Sequence, residues 1–152
     1  MIIGESAENY LETIYMLAKK KSNVRSVDVA AELGYSKPSV CVAMRNLREH
    51  GYIVTDGDGS ITLTQTGLEI AKNVYNRHEI ITKWLIGIGV SKDQAAIDAC
   101  RIEHVISQES FECLCNAVNK MGKDTKGRQK ALAFTLGCIL HYCGDLFGKD
   151  PG

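Results

Sequence analysis

One pair of β-rich runs, Tyr52-Ile53-Val54-Thr55 and Ser60-Ile61-Thr62-Leu63-Thr64, stands in a chain whose other apolar residues recur at helical spacing. Between the two runs lies Asp56-Gly57-Asp58-Gly59, the turn chemistry that closes a hairpin. Three helical segments precede it. The first covers residues 6–20, with Ser6 as its cap, Glu8 in its first turn and Lys19 to Lys21 at its end. Its apolar residues Tyr10, Leu11, Ile14, Tyr15, Leu17 and Ala18 share a face. The second runs from a Ser26 cap to a Gly34 stop. In the third, Pro38 sits in the first turn, where a missing N–H costs nothing, and Gly51 follows the last residue, His50. Helix, helix-turn-helix and hairpin in this order make a winged helix-turn-helix over residues 1–70.

The remainder, residues 71–152, reads as all-helical. A long helix starts at Thr66 and stops at Gly87 and Gly89. Ser91-Lys92-Asp93-Gln94 predicts a capping box for the next helix, which runs to about Ile106. Ser107 caps a helix over 108–120. A polar, turn-rich stretch over 121–128 follows, and then a final apolar helix over 131–147.

The N-terminus has no basic segment followed by an apolar run, and no apolar stretch approaches the roughly 20 residues that span a bilayer. A cytoplasmic protein without a membrane partner is expected. Formal net charge is zero, from 18 basic and 18 acidic residues, which argues against a strongly basic nucleic-acid binder. Local distribution argues the other way. Between Lys37 and Arg48 lie Lys37, Arg45 and Arg48 and no acidic residue, as phosphate contact requires.

The third helix is therefore the expected reading head, with Ser36, Lys37, Pro38, Ser39, Arg45 and Arg48 facing DNA. The wing tip carries Asp56 and Asp58, so the wing is expected to act through Ser60 and backbone donors. Asp56-x-Asp58-x-Ser60 is not a calcium loop, because Ile61 and Gly67 stand where Gly and Glu are needed.

A second constellation is Cys100-x-x-Glu103-His104. Positions i, i+3 and i+4 share a helical face, so a thiolate, a carboxylate and an imidazole project together toward a first-row cation. The same pattern also fits a small buried Cys beside a surface Glu-His pair. Asn9 and Glu12 share a face of the first helix, and His78 on the long helix can converge with them. Six cysteines in a cytosolic chain are expected to be reduced, and no double CxxC suggests a zinc ribbon. Cys138, His141 and Cys143 cannot all converge on one helix, and Cys113 and Cys115 point about 200° apart. These read as packing residues.

The runs Glu8-Asn9-Tyr10-Leu11-Glu12-Thr13-Ile14-Tyr15, Ser36-Lys37-Pro38-Ser39, Arg77-His78-Glu79 and Cys100-Arg101-Ile102-Glu103-His104-Val105-Ile106-Ser107 resemble the diphtheria-toxin-repressor family of metalloregulators. The resemblance covers residues 5–120 in collinear order. It implies a mainly α protein: an N-terminal winged helix-turn-helix, then an all-helical metal-binding and dimerisation domain, with no SH3-like domain after residue 120. It implies a non-enzymatic repressor of metal-uptake genes that binds double-stranded operator DNA as a homodimer, with no small-molecule substrate. Cys100, Glu103 and His104 match metal ligands of the family. Asn9 stands where iron-type members have Met and manganese-type members Asp, Glu12 matches a manganese-type ligand, and His78 matches a second-site ligand. Thr82 and Ala96 replace further second-site ligands. The expected cofactor is Fe2+ or Mn2+, with Zn2+, Co2+ or Ni2+ able to substitute in vitro, and the Cys100 thiolate inclines the choice to iron. Trp84, Leu85, Ile88, Phe111 and Leu114 are the expected dimer interface. The rival reading is a thiol redox-sensing winged-helix regulator using Cys113, Cys115 or Cys143.

Overall fold

A computed structural model describes residues 3–123. The elements are α1 (Glu5–Lys20), α2 (Ser26–Leu33), α3 (Lys37–Glu49), β1 (Ile53–Thr55), β2 (Ile61–Leu63), α4 (Gln65–Gly87), α5 (Lys92–Ile102) and α6 (Gln108–Lys123). The protein is mainly helical and divides into two compact units between Asn76 and Arg77, inside α4.

In the first unit α1 buries Leu11, Ile14 and Leu17, one stripe at helical spacing. Its cap is Gly4 in place of the expected Ser6, because the helix already begins at Glu5; the Gly4 carbonyl accepts from Ala7 and Glu8 N–H. The cap of α2 is Arg25 and not Ser26. The reason is Asp28, whose carboxylate accepts from the Arg25 N–H at 2.8 Å and also meets Lys21 Nζ at 2.8 Å. Gly34, at φ 67°, ends α2 in the left-handed region that glycine enters without penalty. Ser36 caps α3, its Oγ accepting from the Ser39 N–H at 3.4 Å. Val29, Val40, Met44 and Leu47 then close α2 and α3 onto α1.

The hairpin is antiparallel, pairing Ile53 with Leu63 and Thr55 with Ile61. Ile53 and Ile61 point inward while Val54 points out, the alternation that a half-buried strand demands. The Ile61 N–H donates to Val24 O at 2.7 Å, tying the hairpin to the connection between α1 and α2. At its tip Asp56 Oδ1 accepts from the N–H groups of Asp58 (3.0 Å) and Ser60 (2.9 Å). At its base Thr64 N–H donates to Tyr52 O, and Gly67 packs so closely that a Cβ there would stand 2.0 Å from that same oxygen.

In the second unit Ile81, Leu85, Ala95 and Ala99 form the core of α4 and α5, with Trp84, Ile102 and Leu114 partly buried against them. Ser91 caps α5 as expected, accepting from Gln94 N–H. The Gln94 side chain does not return to complete a box; it reaches Asp98 at 2.8 Å. Ser107 Oγ accepts from Ser110 N–H at 3.1 Å at the start of α6. That helix continues over Met121–Lys123, where a turn is expected from composition. The expected helix over 131–147, with Cys138, His141 and Cys143, lies outside the described residues. No helix among the described residues is long and apolar enough to cross a membrane.

Candidate metal centre and nucleic-acid interface

The metal centre is built where α5 stops. That helix ends at Ile102, four residues before the expected end, and Glu103 is its C-cap. A helix end leaves carbonyls without intrahelical partners. Here they meet Arg77 on α4. Its Nη1 donates to Glu103 O at 3.3 Å and Ile106 O at 3.5 Å, and its Nη2 donates to Gln108 Oε1 at 2.9 Å. The guanidinium carbon lies 5.3 Å from the centre of the Phe111 ring, a cation–π contact.

Next to Arg77, His78 turns into the same region. Its Nδ1 stands 2.9 Å from Glu103 Oε2 and 3.7 Å from Cys100 Sγ. The ligand atoms of His78, Cys100 and Glu103 all lie within 4.8 Å of one another. Glu103 is 1% exposed. Its second oxygen, Oε1, is buried with no hydrogen-bond partner among the described residues, and His104 Nε2 stands 3.2 Å from it as an ion-pair contact. The Cys100 thiol and then the Glu103 carboxylate push the His78 imidazole up to about 10, against the effect of its burial.

A carboxylate this deeply buried is costly unless its charge is compensated, by the two imidazoles beside it or by a cation. Sulfur, nitrogen and oxygen donors converge at one point, and each can approach a first-row divalent ion at about 2.0–2.3 Å. The residues present fit such an ion.

Among the other expected ligands, His104 contacts Glu103, and its side chain is 4% exposed. Asn9 and Glu12 belong to α1 in the first unit; Glu12 is a buried carboxylate, and Asn9 is half-buried with its backbone carbonyl accepting from Thr13 Oγ1. Thr82 Oγ1 is buried and without a hydrogen-bond partner among the described residues. Of the five residues expected at a dimer interface, Leu85 and Phe111 are buried within the unit. Trp84, Ile88 and Leu114 are half-buried, and Trp84 and Leu114 line an open groove of about 620 Å³ with Ile81, Ile102, Ile106 and Cys113.

The nucleic-acid face lies in the first unit. Ser36, Lys37, Pro38, Ser39, Arg45 and Arg48 are all exposed. Ser60 is half-buried, and its backbone N–H is already given to Asp56, so the wing retains fewer free backbone donors than its sequence suggests. Reading the sequence for charge passed over two apolar side chains on this surface, Tyr35 (48% exposed) and Val42 (51% exposed). The spacing held the signal: Val42 is one turn from Ser39 and from Arg45 on an otherwise polar face. Arg77 stands in the Arg77-His78-Glu79 run, but no role of its own was legible in the sequence.

Residues 3–61 match the N-terminal DNA binding domain of the iron dependent repressor, and residues 64–131 match its metal binding and dimerisation domain. The chain belongs to the iron-dependent repressor family. It is 33% identical over 114 residues to an uncharacterized HTH-type transcriptional regulator of Methanocaldococcus jannaschii, covering 74% of this chain and 91% of that one. It is 32% identical to the HTH-type transcriptional regulator MntR of Lysinibacillus sphaericus, covering 76% and 84%. Among solved structures, the manganese regulator SloR superposes with a TM-score of 0.67 at 24% identity, which speaks to the fold. The alignment covers 78% of this chain and 55% of SloR, so the chain spans about half the length of that regulator. As a member of this repressor family, the protein is a metal-dependent, DNA-binding transcriptional regulator. Its donor cluster lies within the matched metal-binding domain and α3 within the matched DNA-binding domain. The thiol redox alternative finds no support in these relationships.

Proposed function

We propose that the protein represses metal-uptake genes by binding operator DNA as a homodimer when Fe2+ or Mn2+ occupies the centre of His78, Cys100 and Glu103. The observation that carries this reading is the buried Glu103 carboxylate, which gathers His78 and Cys100 within 4.8 Å and has no hydrogen-bond partner for Oε1 among the described residues. When bound, the metal supplies a positive charge that neutralises Glu103 and replaces the proton on His78. His104, beside Glu103, completes the ligand set in this proposal. The thiolate of Cys100 favours Fe2+ over the harder Mn2+.

Each protomer offers α3 to the major groove. Lys37, Arg45 and Arg48 approach phosphates, Ser36 and Ser39 reach polar edges, and Pro38 and Val42 offer apolar contact to thymine methyl groups. A dimer presents two such helices and reads half-sites separated by about one helical turn or its multiples. Trp84, Ile88 and Leu114, which keep part of their surface exposed, are the proposed dimer contacts, with Leu85 and Phe111 supporting them from within. Metal at the centre favours the DNA-binding state of the dimer. By linkage, DNA then tightens metal binding by the same factor that metal tightens DNA binding.

The test is selection of duplexes from a randomised pool by the full chain under anaerobic reducing conditions, followed by binding titrations with and without Fe2+, Mn2+, Co2+ and Zn2+. The expected result is a palindromic site bound at least tenfold more tightly with metal. Equal affinity with and without every metal would end the proposal.

A further inference from the structure

We infer that Arg77 is the positioning residue of the metal centre, clamping the backbone of Glu103 against the helix that carries His78. This inference rests on the metal-site reading above and adds to it a residue that itself touches no metal.

The sequence from Glu103 to Ile106 contains neither glycine nor proline, and nothing in it requires α5 to stop at Ile102. What stands at the stop is a guanidinium. Arg77 precedes His78 in α4, and its fork spans the Glu103 carbonyl, the Ile106 carbonyl and the Gln108 side chain. One side chain therefore ties the neighbour of one ligand to the main chain of another, across a separation of 26 residues. The Phe111 ring under the guanidinium fixes its plane. The geometry suits arginine: a planar fork serves three acceptors at once, whereas a lysine ammonium is a point charge on a flexible stem. A positive group at the end of α5 is also favourable toward the helix dipole.

The consequence is a donor set that protein contacts hold together. The Glu103 carboxylate is held 2.9 Å from His78 and 3.7 Å separates His78 from Cys100, so little reorganisation is needed on binding. Groups that hold a ligand without touching the metal typically contribute about 10–100-fold to metal affinity.

Co2+ is the probe, because its d–d bands and its thiolate-to-metal charge-transfer band report coordination geometry. Wild type, Arg77→Lys, Arg77→Ala and Gln108→Ala are titrated anaerobically, and the melting temperature of each metal-free protein is measured alongside. For Arg77→Ala, affinity is expected to fall about 10–100-fold with altered bands; Arg77→Lys is expected to recover part of the affinity and not the wild-type spectrum. Gln108→Ala is expected to weaken binding by less than Arg77→Lys. Should Arg77→Ala fail to fold, Arg77→Lys and Gln108→Ala carry the comparison. Wild-type affinity and an unchanged spectrum in folded Arg77 variants would overturn the inference and leave the metal site standing. Absence of a thiolate charge-transfer band in the wild type itself would overturn the metal-site reading instead.

Discussion

Replacing Glu103 by glutamine isolates the charge of the buried carboxylate from its shape. In the metal-free protein the substitution keeps the volume and an oxygen for His78, but turns a charge-assisted hydrogen bond of 2.9 Å into a neutral one. Such bonds differ by about 1–1.5 kcal/mol, so a modest destabilisation is expected. The effect on metal is larger in kind. A ligand present at 100 times its Kd stabilises the folded state by about 2.7 kcal/mol, which for a chain of this size raises Tm by roughly 5–10 °C. Glu103→Gln removes the one carboxylate of the cluster, so at the same Co2+ concentration this shift is expected to shrink to about 2 °C or less. The assay is thermal unfolding followed by circular dichroism, with and without Co2+, for both proteins. The metal-free melting curves separate the structural cost from the lost linkage. A Co2+-induced shift in Glu103→Gln equal to that of the wild type would refute the assignment of Glu103 as a ligand.

The raised pKa of His78, about 10 in the folded metal-free protein against roughly 6.5 when unfolded, has a definite sign. The stability it contributes is fully present below the unfolded value and is lost as pH rises through about 10. At pH 7 metal must displace that proton, so Co2+ titrations in buffers of different ionisation enthalpy should show release of about one proton or more; heats independent of the buffer would contradict it. Gly67→Ala puts a methyl group where the Tyr52 carbonyl already lies, and backbone cannot yield as a side chain does. A loss of about 2–4 kcal/mol in urea unfolding is expected, from overpacking and a weakened hydrogen bond at the wing base; a loss under 0.5 kcal/mol would show the junction to be pliable. Arg45→Ala should weaken binding to selected duplexes about equally across sequences and reduce the slope of log K against log salt by about 1. Selective loss at one base position would assign Arg45 to base reading instead.

Elements of the fold were legible because their signals are local. The hairpin followed from Asp56-Gly57-Asp58-Gly59 between β-rich runs, the start of α3 from Ser36 and Pro38, and the end of α2 from Gly34, each a matter of backbone conformation a few residues wide. Cys100 and Glu103 were readable for the same reason, as a helical i and i+3 pair. Three-dimensional packing decided the rest. The end of α5 at Ile102 is answered by Arg77, 26 residues earlier, because an unpaired carbonyl accepts whatever donor the fold brings near. The cap of α2 fell to Arg25 because Asp28 satisfied its N–H before Ser26 was needed. The approach of His78 to Cys100 and Glu103, the burial of the Glu103 carboxylate, and the exposure of Val42 among charged neighbours depend on which surfaces meet. Periodicity shows which face of a helix is apolar. Which partner that face packs against, and which donors are thereby gathered or left out, follows from close packing across the whole unit.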